Sequence, residues 1–193
     1  MRHDVGMTTD SPLSILVIPG ALRARSMNRA LAHAAVSLAP TGTPLTVHAL
    51  HAIPLSDGAA AAAGVPASVT ARREAIAAAD ALFFCTPEYN SSVPGVLKNA
   101  IDWASRPPAP PLTGKPAAFA GASPGGFGTI RSQTHLRQVL QFTGVEVMTK
   151  PELYFSRASA LFGDDGELRD PDATDRLGAH LEAFATWVRA RRG

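Results

Sequence analysis

Two arginines, a serine and an asparagine crowd the short stretch Gly20-Ala21-Leu22-Arg23-Ala24-Arg25-Ser26-Met27-Asn28. It separates an apolar run from an amphipathic one. A buried strand followed at once by a helix start leaves backbone N–H groups unpaired. It also points the positive end of a helix dipole at the same place, which suits an anion. Arg23, Arg25, the Ser26 hydroxyl and the Asn28 amide add donors, and no carboxylate opposes them, so the pattern favours a phosphate. A plainer arrangement uses the same residues: Ser26 caps the helix and the arginines face solvent. Residue types alone leave both readings open. Two common nucleotide motifs are absent. Only Gly20 follows the apolar run, so there is no G-x-G-x-x-G, and Gly114-Lys115 runs into Pro116 without the upstream glycine of a Walker A loop. Hydroxyl, amide and guanidinium donors without a metal ligand suit a phosphomonoester.

Two further loops have unusual composition. Thr86-Pro87-Glu88-Tyr89-Asn90-Ser91-Ser92-Val93-Pro94-Gly95 is restrained by prolines near both ends. A restrained loop can present backbone N–H groups to the polar edge of a flat ring, with Tyr89 stacking on it or shaping a cleft. It also suits an ordinary turn in which Ser92 caps a helix and Pro94 enters the first turn. Gly121-Ala122-Ser123-Pro124-Gly125-Gly126-Phe127-Gly128 holds four glycines in eight residues. These permit close backbone approach to a ligand, or simply a flexible connection.

Other reactive residue types read as structural. Cys85 ends an apolar run and is expected to pack inertly. The six histidines show no metal-ligand spacing. His135 has no serine nucleophile or acidic orienter in its own motif and is assigned to packing or an interface. Trp103 belongs at a core edge or a subunit contact. For Glu88 the backbone, not the carboxylate, is expected to matter.

The elements that must position these loops follow from periodicity. Leu13 to Ile18, Leu45 to Leu50, Ala81 to Cys85, Pro116 to Ala122 and Val145 to Met148 read as strands. Met27, Ala30, Leu31, Ala34, Ala35 and Leu38 mark a first helix at offsets of 0, 3, 4, 7, 8 and 11. Further helices are expected over Ser68 to Ala79, from Val93 to Ala104, over Gly128 to Phe142, and along Leu177, Leu181, Phe184 and Val188. Asp57 to Gly64, rich in Ala and Gly, reads as loop. Strands apolar throughout need both sheet faces covered, hence a parallel sheet between helix layers. Five strands alternating with helices favour a flavodoxin-like α/β three-layer sandwich, a five-stranded parallel sheet in the order 2-1-3-4-5. Ligands then bind beyond the carboxyl ends of the strands, where the three loops lie.

Composition sets the limits. A chain of 193 residues, 46% hydrophobic, suits one domain, expected over 13–193 after a mobile tail over 1–12. The net charge of +2, with basic residues scattered, is no nucleic-acid footprint. One cysteine allows no intrachain disulfide and no multi-cysteine metal site. The first dozen residues lack a secretory pattern, and no apolar stretch approaches the roughly 18 residues of a membrane helix. A cytoplasmic protein without membrane or nucleic-acid partners is expected.

Taken together these residues resemble the NADPH-dependent FMN reductase family, which includes quinone, azo-dye and chromate reductases on a flavodoxin-like fold. The matching text is Gly20-Ala21-Leu22-Arg23 with Ser26 and Asn28, then Pro87-Glu88-Tyr89-Asn90, then Val93-Pro94-Gly95-Val96-Leu97-Lys98-Asn99-Ala100-Ile101-Asp102-Trp103. Gly121-Ala122-Ser123-Pro124-Gly125 continues it, with Arg131, Gln133 and His135-Leu136-Arg137-Gln138 beyond. The resemblance implies non-covalent FMN, its phosphate held by Arg23, Ser26 and Asn28 within a binding loop that includes Ala21, Leu22 and Met27. It implies the isoalloxazine lying against Pro87, Glu88, Tyr89 and Asn90, with Ser123 near the ring's other edge. No catalytic side chain is implied. NAD(P)H is the expected co-substrate, and a quinone, azo compound, free flavin or similar molecule the acceptor. An electron carrier without NAD(P)H activity is the rival on this fold, but such carriers are strongly acidic. Receiver-type regulatory modules need acidic residues after the first strand, where this chain has Pro19-Gly20 and arginines. Three positions depart from the family: Ala21 stands where serine is usual, Ser91 where an aromatic is frequent, and Thr134 where tyrosine is frequent. Homodimers or homotetramers are implied as well. The mixture of Phe127, His135 and Leu136 with Arg131 and Arg137 has the character of an interface, in which Arg131 is expected to pair with Glu152.

Overall fold

The computed structural model describes residues 12–192; the tail expected over 1–12 lies outside the described residues apart from Pro12. Strands β1 (Ile15–Pro19), β2 (Leu45–Val47), β3 (Ala81–Cys85), β4 (Pro116–Ala122), β5 (Glu146–Val147) and β6 (Leu153–Phe155) form one sheet. Every pairing is parallel, and the order is β2-β1-β3-β4-β5, with β6 also on β4. The helices are α1 (Met27–Ser37), α2 (Gly58–Ala63), α3 (Ala67–Ala78), α4 (Gly95–Ala104), α5 (Ile130–Phe142) and α6 (Pro171–Arg189).

Alternation along the strands divides the core in two. Ile15, Val17 and Phe83 point to one face, where they meet Leu31 of α1 and Leu177, Leu181 and Phe184 of α6. Leu16, Ile18, Leu82, Phe84 and Phe119 point to the other, against Ile76 of α3, Leu97 and Ile101 of α4, and Leu136 and Leu140 of α5. This is the flavodoxin-like α/β sandwich: because both faces are dry, β1 and β3 are buried at every position.

The structure corrects the expected elements at three places. Residues 58–63 are helical, not loop. The Asp57 carboxylate accepts from the Ala59 N–H at 3.0 Å, and the alanines that follow are strong helix formers. The fifth strand is an edge in two pieces. β5 pairs with the start of β4 and β6 with its end, because Pro151 between them has no N–H to continue a ladder. The helix expected from Gly128 begins at Ile130, since Gly128 (φ 56°) and Thr129 (φ 75°) are left-handed.

Candidate functional site

The carboxyl ends of β1, β3 and β4 are neighbours in the sheet, so the three loops leave it side by side. Backbone contacts bind them together. The Gly20 N–H donates to the Cys85 carbonyl at 2.9 Å, and a Cβ on Gly20 would lie 3.2 Å from Pro87 Cδ. The Thr86 N–H donates to the Ala120 carbonyl at 3.0 Å. Gly121 has no room for a side chain at all: a Cβ there would sit 2.5 Å from the Thr86 carbonyl oxygen.

The first loop ends in Ser26, the buried N-cap of α1, whose Oγ accepts from the Asn28 N–H at 3.3 Å. Among the described residues the Ser26 hydroxyl proton has no acceptor. Nor have the backbone N–H groups of residues 21–25 and of Met27. The exposed guanidinium groups of Arg23 and Arg25 make no hydrogen bond or ion pair within the described residues, and Leu22 is exposed beside them. Unspent donors at the positive end of an eleven-residue helix fit a phosphomonoester. Ala21 is buried and offers no hydroxyl, which leaves Ser26 as the loop's one hydroxyl donor.

Asn28 reaches across to the third loop. Its amide nitrogen donates to the Ala122 carbonyl at 2.8 Å, and its Oδ1 accepts from the Ala122 N–H at 2.9 Å. One of the two amide N–H donors and the carbonyl oxygen of this buried side chain are spent on β4. Asn28 therefore braces the first loop against the third.

In the second loop Thr86 and Pro87 are buried, while Tyr89 and Asn90 face outward. Tyr89 and Ser92 exchange backbone hydrogen bonds of 3.2 and 3.0 Å around Asn90 (φ 51°) and Ser91 (φ 61°). Two positive φ values in a two-residue turn define type I′. The N–H groups of Glu88, Asn90 and Ser91 have no acceptor among the described residues. They are free for the polar edge of a ring.

The Glu88 carboxylate has a function that composition did not show. Oε2 accepts from the Arg131 and Ser132 N–H groups at 2.9 and 3.2 Å, and Oε1 accepts from Arg131 Nη1 at 3.3 Å. Thr129, in the N-cap position of α5, makes no side-chain cap. Glu88 caps the helix instead, from 43 residues away. Two more links hold the hairpin to α5: Thr86 Oγ1 lies 3.1 Å from Ser132 Oγ, and Ser92 Oγ lies 3.0 Å from His135 Nδ1.

In the third loop the Ser123 N–H donates to the Phe155 carbonyl at 3.0 Å, while its hydroxyl reaches Gly125 O only at 3.5 Å. Gly125 and Gly126 border open space. Arg131 lies over the exposed Phe127 ring, its Cζ 3.9 Å from the centroid. The expected partner of Arg131, Glu152, pairs instead with Arg137 at 3.3 Å, because Arg131 sits in the first turn of α5, within reach of Glu88. Cys85 is fully buried, and burial pushes its thiol pKa up, so it carries no thiolate. Trp103 is buried and donates to the Pro54 carbonyl at 2.9 Å, which places it in the core. Among the described residues no helix is long and apolar enough to cross a membrane. No group of three or more His, Cys, Asp or Glu there is placed to hold a metal ion.

Comparison with known proteins agrees with this geometry. A family model described as NADPH-dependent FMN reductase matches residues 13–160. An NAD(P)H-dependent FMN reductase of Pseudomonas aeruginosa is 48% identical over 181 residues, covering 94% of this chain and 98% of its own. A 2-hydroxy-1,4-benzoquinone reductase of a Burkholderia species is 39% identical over 187 residues, covering 93% and 98%. Among solved structures, a flavoenzyme NAD(P)H:(acceptor) oxidoreductase from Paracoccus denitrificans superposes with a TM-score of 0.83 at 35% identity, covering 92% of this chain and 98% of that one.

Proposed function

The chain belongs to the NADPH-dependent FMN reductase family, and on that basis we propose that it uses NAD(P)H and bound FMN to reduce a quinone, azo compound, free flavin or similar small acceptor. Residues 13–193 act as one cytoplasmic domain. FMN, when bound, supplies the redox chemistry itself, accepting hydride from NAD(P)H and releasing two electrons to the acceptor. The chain supplies binding, orientation and polarity. Arg23, the Ser26 hydroxyl and the free N–H groups among Ala21, Leu22 and Met27 hold the phosphate. Asn28 keeps that loop in register with β4. Pro87 would support the isoalloxazine, the free N–H groups of Glu88 and Asn90 would donate to its polar atoms, and Tyr89 and Ser123 would line its binding site. No side chain is needed as nucleophile.

The observation behind this reading is the first loop, with its unspent donors at the start of α1 and no carboxylate from Gly20 to Asn28. Titration of apoprotein with FMN and riboflavin tests it. FMN is expected to bind more tightly, and equal affinities would overturn the phosphate anchor. Steady-state NAD(P)H oxidation with a benzoquinone panel then separates enzyme from carrier: bound FMN without NAD(P)H consumption would make the protein a carrier. One open ring face serving both substrates in turn gives parallel double-reciprocal lines. Intersecting lines would require a larger, divided site.

The side chains of Tyr89, Phe127 and Ile130 are exposed on the second and third loops and the start of α5. They support assembly into a homodimer or homotetramer with the flavin cleft near the subunit contact.

A further inference from the structure

Along the outer face of α1, opposite the turn at 162–168, a groove of about 980 Å³ opens beside Ser26. That volume suits a nucleotide-sized ligand. Its two walls carry opposite charge. Arg29 and His33 lie four residues apart on α1 and so share one of its faces, while Arg25 precedes the N-cap Ser26 and lines the same groove. Asp164 and Glu167 stand on the other wall. No ion pair crosses the groove among the described residues. The Arg25 and His33 side chains have no partner there, and Arg29 reaches only the Leu22 carbonyl, at 3.4 Å. Asp165 is occupied by Arg169 at 2.5 Å, whereas the carboxylates of Asp164 and Glu167 have no partner among the described residues. The floor between the walls is apolar, made by Met27, Ala30 and Ala34 with Phe162 and Leu168, which are bridged to each other.

A molecule that matches this groove has an anionic part for the arginines, hydroxyl or amino donors for the carboxylates, and a flat apolar part for the floor. We propose that it takes the adenosine diphosphate end of NAD(P)H, a placement that rests on the reading of this chain as an NAD(P)H-dependent flavoenzyme. The pyrophosphate lies along Arg25 and Arg29, where guanidinium groups suit phosphate oxygens. Adenine covers the floor between Ala30 and Phe162. Ribose hydroxyls donate to Glu167 and Asp164, as an acidic residue does for ribose in other dinucleotide sites. Ser26 lines the groove and also ends the first loop, so the remainder of the dinucleotide continues past it toward the cleft between the three loops. None of the eleven residues assigned to the flavin, apart from the shared Ser26 and Met27, is needed for this grip.

The test uses ADP-ribose as the probe and the FMN-loaded protein as it stands. Calorimetry should show saturable ADP-ribose binding to the wild type. Arg29→Glu and His33→Glu, both on the solvent-facing side of α1, should each weaken it by about tenfold, the worth of one charge-assisted contact. The same variants should raise KM for NAD(P)H by a similar factor and leave the KM for the quinone in place, and His33→Glu, away from the Leu22 carbonyl that Arg29 reaches, should also leave the FMN dissociation constant in place. Glu167→Gln, which keeps the shape of that wall, should weaken ADP-ribose less than either. Absence of saturable ADP-ribose binding, or an unchanged KM for NAD(P)H in both charge-reversal variants, would overturn the proposal while FMN binding and NAD(P)H oxidation by the wild type still stood. A wild type that binds FMN but oxidises no NAD(P)H would overturn the enzymatic reading itself.

Discussion

Glu88 receives three hydrogen bonds from the start of α5, with only 12% of its side chain exposed. Glu88→Ala leaves the Arg131 and Ser132 N–H groups without their acceptor and should cost about 1–2 kcal/mol in a denaturant melt. Glu88→Gln keeps an acceptor oxygen and should cost less; equal losses would mean that a neutral acceptor contributes nothing and the charge carries the interaction. At the proposed phosphate loop, Arg23→Ala removes a full positive charge together with its hydrogen bonding, worth about 1.5–3 kcal/mol or more, and Ser26→Ala a single hydroxyl donor to the same ionised group, near the lower end of that range. FMN titration should therefore rank Arg23→Ala as the more damaging. Ser26→Ala also removes the cap of α1, so its apoprotein should melt earlier, whereas Arg23→Ala should not. Unchanged FMN affinity in both variants would return the pair to capping and solvation. The donors of the first loop were legible in the sequence because they are local. The engagements of Glu88 and Asn28 were not, since each partner lies 43 or 94 residues away and no local pattern encodes it.

At the scale of elements, periodicity located the interior strands and the long helices and failed at the edges. β1 and β3 are apolar at every position and could be read directly. β5 and β6 are two and three residues long, and runs that short carry no period. α2 was hidden by its Gly and Ala content, although Asp57 was a visible cap signal. Helix α6 held a further clue. His180 falls between Leu177 and Leu181 on the buried stripe, and it is buried against Phe83, ring centroids 5.9 Å apart, with neither ring nitrogen hydrogen-bonded. Burial lowers its pKa to about 4. Below the ordinary value of 6.5 the unfolded chain takes up a proton that the folded chain refuses. Stability is therefore full above pH 6.5 and falls as the pH drops toward 4. At pH 5 the loss from this residue is about 2 kcal/mol. His180→Leu should be near neutral at pH 7.5 and clearly stabilising at pH 5 in thermal melts. A difference that stays constant between those pH values would show that His180 is not the acid-sensitive group.

The whole molecule is three layers with the three candidate loops at one end of the sheet, and large apolar side chains are exposed on and beside those loops. Phe127 is 61% exposed, Tyr89 43% and Ile130 40%. Within one chain Arg131 and Glu152 are held by Glu88 and Arg137, and Trp103 does not argue for assembly, since it is in the core. The exposed trio does. Light scattering at micromolar concentration should give at least a dimer, and Phe127→Asp should shift it toward monomer. A monomer mass for the wild type, with FMN bound and activity intact, would show that a second subunit is not needed to complete the site. The geometry of the sheet narrows how such copies can meet. Its rims are β2, three residues long, and the broken pair β5 and β6. Strand-to-strand growth between molecules needs a long row of unpaired amides, and rims this short do not offer one. Helix faces and loop tips are left as the surfaces of association, which keeps self-assembly finite rather than fibrous.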